Sequence, residues 1–362
     1  MKLPAFFQNI QSKNLFLRVS AKEKILFAQS LAIMIKSGMA LLDSLRLNQS
    51  QTKSKSFRAI LGDVMVEIDN GQFLSTAVEK YKSVFDEVFV NIIRVGEASG
   101  TLSENLEFLA KEMGRRESLK KKIKAAMIYP TVVIIATIGV VWLLTAVVLP
   151  KILPIFEEVE LKLPATTKIL IAVTEFVAEY NVLVLVMLAG IFIGFRVLLK
   201  VKAARFVYQK MLLYVPAISG FTIKVNMAFF TRTLAILLKS GVKIVEALTI
   251  TASSLNNLVY QRELEQISDS IRSGESISAY LNKNERMFPS TLARLIEVGE
   301  NTGHLDENLN YLAEFYDNEV EELTKNISSL VEPVILVVMG GIVGFIALSI
   351  ITPLFQLSTG GI

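Results

Sequence analysis

Leu31-Ala-Ile-Met-Ile-Lys-Ser-Gly38 recurs as Leu234-Ala-Ile-Leu-Leu-Lys-Ser-Gly241, with six of eight positions identical. Held at that shift of 203 residues (31 to 234), Ile68 meets Ile271, Gly71 meets Gly274, Ser75 meets Ser278 and Phe85 meets Phe288. Val95-Gly-Glu-Ala-Ser-Gly-Thr-Leu102 meets Val298-Gly-Glu-Asn-Thr-Gly-His-Leu305, followed by Glu104 and Asn105 against Glu307 and Asn308. Pro130 and Pro150 meet Pro333 and Pro353. One constant offset with no gap marks a duplicated unit.

Each copy ends in a segment long and apolar enough to cross a bilayer, which takes roughly 20 helical residues. Residues 125–149 and 331–352 fill that role, the first free of charge. A third span lies at 181–199, where Arg196 sits near one end and its long stem reaches the headgroups. Glu175 and Glu179 then fall on one face of a helical extension outside the lipid. Mean hydropathy is +0.48, and only 20% of the residues are charged, against about a quarter in soluble domains.

Within each copy the periodicity is helical. Phe27, Leu31, Met34 and Ile35 are spaced for one apolar face, and Gly38 is placed as a left-handed cap. Gly71 parts two further helical stretches, and Ser103 and Asp306 read as N-caps of the helix that runs toward the membrane. No stretch alternates as a strand does. The expected fold is all-α: an integral membrane protein with two tandem cytoplasmic helical bundles, of about six helices each, and three transmembrane helices. The expected divisions are a short segment 1–19, a bundle 20–124, a span 125–149 and an outer connection 150–180. They continue with a span 181–199, a bundle 200–330, a span 331–352 and an outer tail 353–362.

Basic flanks orient such a chain. Arg115, Arg116, Lys120, Lys121, Lys122 and Lys124 crowd before the first span, and Lys200, Lys202, Arg205 and Lys210 follow the second. The connection between them balances Lys151, Lys162 and Lys168 against Glu157, Glu158 and Glu160. The bundles and the N-terminus are thus expected in the cytoplasm and the C-terminus outside. The opening residues, Met1 to Ile10, do not read as a secretory signal peptide. The six basic residues at 115–124 read as a belt against anionic lipid headgroups. They lack the interleaved aromatics of a nucleic-acid patch, and no nucleic-acid partner is expected.

Little could carry chemistry. With no Cys and one His, His304, thiolate sites, disulfides and multi-histidine metal sites are excluded. No catalytic, cofactor or metal residue is expected. The Gly-Glu-Ala-Ser-Gly-Thr turn lacks the Lys and spacing of a phosphate loop. Gly96, Gly100, Gly299 and Gly303 suit positive φ in a helix–turn–helix, and Glu97 and Glu300 either cap a helix or face a partner. These six are the candidate partner contacts. Gly340 and Gly344 form a Gly-x-x-x-Gly suited to close helix packing.

These motifs carry a resemblance. The Leu-x-x-x-x-x-Ser-Gly helix, the doubled Gly-Glu-x-[Ser/Thr]-Gly-x-Leu, Tyr129-Pro130, and Pro150-x-x-x-x-Phe156 with Leu163-Pro164-x-Thr166 occur in order. Together they are similar to the PilC/GspF family, the inner-membrane platform proteins of type IV pilus and type II secretion machines. The likeness runs from about Ser20 to Leu357; the stretch ahead of the first bundle is shorter than in many members. It implies a non-enzymatic, multi-pass scaffold of the inner membrane. Its partners would be a cytoplasmic assembly or retraction ATPase, pilin or pseudopilin membrane helices, other machine subunits, the lipid bilayer and further copies of itself. The rival reading is a small transporter or channel, which would need ionisable groups at mid-membrane; spans one and three carry none there.

Overall fold

The structure, a computed structural model, describes residues 19–152 and 164–359. Readings that rest on residues 1–18, on Phe156, Glu157, Glu158, Glu160, Lys162 and Leu163, and on 360–362 lie outside the described residues. Six helices run through the first copy: α1 (Ala21–Lys36), α2 (Leu41–Gln51), α3 (Lys55–Asp69), α4 (Leu74–Glu79), α5 (Glu87–Ser99) and α6 (Leu102–Ala126). The middle of the chain forms α7 (Ile128–Leu143), α8 (Leu149–Ile152), α9 (Ala165–Glu179), α10 (Asn181–Leu198) and α11 (Lys202–Leu212). The second copy repeats the first as α12 (Pro216–Lys239), α13 (Ile244–Ser254), α14 (Leu258–Arg272), α15 (Ile277–Asn282), α16 (Ser290–Thr302) and α17 (Leu305–Thr359). No strand occurs among the described residues.

Local chemistry sets these boundaries. Ser20 and Glu23 close a capping box at the start of α1, and Asp86 caps α5 through Phe89 N. Gly38 and Gly241 stop α1 and α12 at φ +83° and +89°, a region where a Cβ would be strained. Helices α6 and α17 start at Leu102 and Leu305, so Ser103 and Asp306 lie in the first turn instead of at the cap.

The repeat holds in the core. Phe27, Phe57 and Phe85 fill the first copy, and their counterparts Phe230, Tyr260 and Phe288 fill the second. Ring centroids lie 5.5 Å apart for Phe27 and Phe57, and 5.7 Å for Tyr260 and Phe288, both edge-on, the geometry aromatic quadrupoles favour. The one added hydroxyl, on Tyr260, donates to Met287 O at 2.9 Å, which keeps a buried polar group satisfied. The copies are not separate bodies, however. The described residues up to Lys121 and Phe206–Val320 form one compact unit containing both bundles.

The second unit joins the described residues of Lys122–Arg205 to those from Glu321 onward. Its long apolar helices keep their side chains uncovered: Ile135, Val186, Ile191, Val337 and Leu348 are all exposed. In water such surfaces would be untenable over this length, and the helix satisfies its backbone internally, as lipid requires. Leu102–Ile152, Asn181–Leu198 and Ile335–Thr352 meet the length and hydropathy of a span. Ile218–Lys239 meets them too, but 61% of it is buried inside the protein, where it serves as the central helix of the second bundle.

Before Pro150, residues Leu144–Val148 widen into a π-turn, consistent with a proline that has no N–H to donate. Beyond it, α9 packs on the first and third spans through Leu149, Leu170, Ile346 and Ile350. Thr167 Oγ1 donates to Ser349 O at 2.8 Å in this contact. Glu175 and Glu179 are exposed on α9, a helix distinct from span α10. A Cβ at Gly340 or Gly344 would meet nothing within 4 Å. Among the described residues, the Gly-x-x-x-Gly thus packs on no other helix, and the third span meets α9 at Ile346, Ser349 and Ile350 instead.

Candidate functional site

The doubled Gly-Glu turn is where the structure changes the sequence reading most. Glu97 Oε1 accepts from Leu74 N at 2.5 Å and Oε2 from Ser75 N at 3.0 Å. Glu300 accepts from Ile277 N at 2.6 Å, Ser278 N at 3.1 Å and Ser278 Oγ at 2.6 Å. Each carboxylate therefore caps the short helix that begins more than twenty residues upstream, not the helix that comes next. The need is plain at α4, whose N-cap is Phe73 and offers no side-chain acceptor.

The glycines divide into two kinds. Gly100 and Gly303 end their helices at φ +75° and +76°. Gly96 and Gly299 lie inside α5 and α16, buried, where an added Cβ would sit 2.9 Å from Leu102 Cα and 2.8 Å from Leu305 Cα. Both glycines permit a close helix approach. Asn105 and Asn308 finish the turn by donating to Ile92 O and Leu295 O at 3.4 and 3.0 Å. His304 is exposed on this turn, its Nδ1 2.9 Å from Thr302 O.

The caps carry a first prediction. Glu97→Gln replaces one of two acceptor oxygens with an amide that faces a backbone N–H, at a cost of about 1–3 kcal/mol. Glu300→Gln should cost less for its helix, because Ser276 still caps α15 through Ala279 N. Hydrogen exchange at Leu74 and Ser75, faster in Glu97→Gln than in wild type, is the readout.

Both bundles meet through unlike faces: α5 packs against α12 and α13. At the centre Arg232 of α12, 5% exposed, donates to Glu112 of α6 and to Asp317 of α17, each at 2.5 Å. Glu112 is 2% exposed and also takes Arg115 at 3.2 Å, which itself reaches Glu314 of α17. One cation thus ties the two helices that continue from the bundles into apolar segments. Burial, the larger influence, raises the Asp317 carboxyl above its ordinary range, and Arg232 opposes that shift. None of these three residues was singled out in the sequence. The signal available was Arg232 itself, the one charge between Lys224 and Lys239 in an otherwise apolar helix.

The basic residues 115–124 have unlike surroundings. Arg116 is half-buried: its guanidinium lies 5.2 Å over the Phe229 ring and donates to Ser254 O at 3.2 Å. Desolvation lowers the pKa of Arg116 and of Lys120, the latter also facing that cation. Lys121 pairs with Glu117 and Lys122 with Glu321, while Lys124 is exposed. A basic cluster beside a span looks like a lipid anchor in sequence, but helical periodicity turns Arg115 and Arg116 toward the second bundle. Among the described residues, no group of three or more His, Cys, Asp or Glu is placed to hold a metal.

Duplicated bundles fused by a buried ion cluster, each continuing into an apolar helix, define an all-α membrane protein of internal two-fold repeat. The chain belongs to the family described as type II secretion system (T2SS), protein F, whose model matches it twice, at residues 27–150 and 230–353. The two matches are themselves displaced by 203 residues (27 to 230, 150 to 353). It is 33% identical to the type IV pilus assembly protein PilC of Thermus thermophilus, over 93% of this chain and 82% of that protein. It is 32% identical to a protein of the same name from Myxococcus xanthus, over 94% and 81%. Against the type II secretion system protein F of Pseudomonas aeruginosa the identity is 30%, over 94% and 84%.

Proposed function

We propose that this chain is a non-enzymatic inner-membrane platform of a type IV pilus or type II secretion machine. It would couple the strokes of a cytoplasmic hexameric ATPase to the lifting of pilin or pseudopilin helices into a growing filament. The observation that carries this reading is helical continuity: α17 runs unbroken from the second bundle through an apolar span, and the first copy continues from α6 toward Ile152. A helix is stiff over this length, so displacement of a bundle is passed to the membrane segment. The names of the relatives support the setting, and the absence of ionisable residues from the middle of spans one and three weighs against a transporter.

In this reading both bundles and the N-terminus are cytoplasmic and the C-terminus is outside. Reporter fusions after residue 60 or 270 should then be of cytoplasmic type, and after 160 or 360 of exported type. An exported signal at 270 overturns the three-span topology. For the coupling itself, the full-length protein should retain a hexameric ATPase on pull-down, and its deletion should abolish filament or secretion output. Solute flux into liposomes holding this protein alone would favour a transporter.

A further inference from the structure

The contact between the two copies is head-to-tail: α5 and α6 of the first bundle meet α12 and α13 of the second. A heterologous contact of this kind leaves one matching half open on each copy. The open half of the first bundle is the α1/α2 face, where Ile33 is 57% exposed, Met39 40% and Leu47 41%. Their counterparts at the 203-residue shift, Ile236, Val242 and Ile250, are 7%, 5% and 5% exposed in the second bundle. The open half of the second bundle is the α16/α17 face, with Val298, Tyr311 and Phe315 exposed. These are the counterparts of Val95, Phe108 and Glu112, which lie in the internal contact.

We propose that a second copy of this chain docks its α16/α17 face on the α1/α2 face of the first, repeating the internal contact between molecules. The chemistry of the contact is retained where it matters. Lys239 Nζ lies 4.9 Å over the Phe108 ring, and the docked pair places Lys36 against Tyr311, again a lysine and an aromatic. Val95 Cγ1 lies 3.6 Å from the position a Cβ would take at Gly241, whereas nothing lies within 4 Å of that position at Gly38, leaving it free to receive Val298. Lys36 must release Glu107, an exposed pair of little energetic weight.

The central ion cluster is what differs. Arg232 and Glu112 become Gln29 and Phe315, so the centre of the intermolecular contact carries no charge that needs a buried partner. It is accordingly a separable version of a permanent internal joint, and its repetition generates a ring or an open row of subunits. This docking does not depend on which motor or filament the platform serves.

The chain has no cysteine, so single-cysteine copies report contacts cleanly. Full-length Lys36→Cys and Tyr311→Cys copies carrying different tags are co-expressed and treated in membranes with a short bismaleimide. The mixed pair should cross-link, and neither variant should cross-link to itself. Adding Ile33→Asp and Leu47→Asp should weaken association about tenfold or more, with the melting temperature of the protein unchanged. Self-cross-linking of either single variant would mean a two-fold contact and overturns the proposal. So does a mixed cross-link that survives the two Asp substitutions, or no cross-link at all in folded protein.

Discussion

Arg232→Met is expected to cost about 3–5 kcal/mol, because it leaves the half-buried Asp317 without a cation and the buried Glu112 with Arg115 alone, at 3.2 Å. For a unit of this size that corresponds to a fall in melting temperature on the order of 10 °C, measured on the full-length protein in detergent. The loss should be largely recovered when Glu112→Leu and Asp317→Asn are added, since removing the whole charge set also removes its desolvation penalty. A triple variant as unstable as the single one would mean that Arg232 acts by shape and not by charge. The raised pKa of Asp317 gives the sign of the pH effect. A carboxyl whose folded pKa lies above its unfolded value binds its proton better in the native state. Its charged form therefore opposes folding at neutral pH, and that opposition fades as pH falls through the raised pKa. Wild type should lose less stability on mild acidification than Asp317→Asn does.

Gly299→Ala, and likewise Gly96→Ala, is the second large effect. The new methyl would lie 2.8 Å from Leu305 Cα, or 2.9 Å from Leu102 Cα, and backbone cannot swing aside as a side-chain tip can. Helices α16 and α17, or α5 and α6, must separate, at a cost of about 1–3 kcal/mol. Expected results are a lower melting temperature and reduced filament or secretion output at equal protein level. Gly340→Ala is the control: with nothing within 4 Å it should leave the melting temperature unchanged. Equal tolerance of all three substitutions would refute the close-approach account.

Local pattern settled a good deal. The 203-residue shift is a property of the string, and since the same side chains at the same spacing fold the same way, it implies matching helices, down to Phe27, Phe57 and Phe85 with their counterparts. The apolar segments were equally legible, because length and hydropathy are what a bilayer selects. Gly38 and Gly241 could be read as helix ends from residue type alone. The tertiary structure decided the rest, wherever two distant segments share one chemical demand. Glu97 and Glu300 look like local turn residues, yet their oxygens answer N–H groups of helix starts far back in sequence. Arg116 looks like a headgroup anchor until α12 brings Phe229 beneath it. Arg232 lies 120 residues from Glu112 and 85 from Asp317 in the chain, and the three form one cluster only because the copies pack through unlike faces. No counterpart residue repeats that cluster, since Gln29 and Phe315 stand in its mirror positions. Periodicity reports which side of a helix is apolar, whereas the partner that covers that side is fixed by the packing of the whole unit.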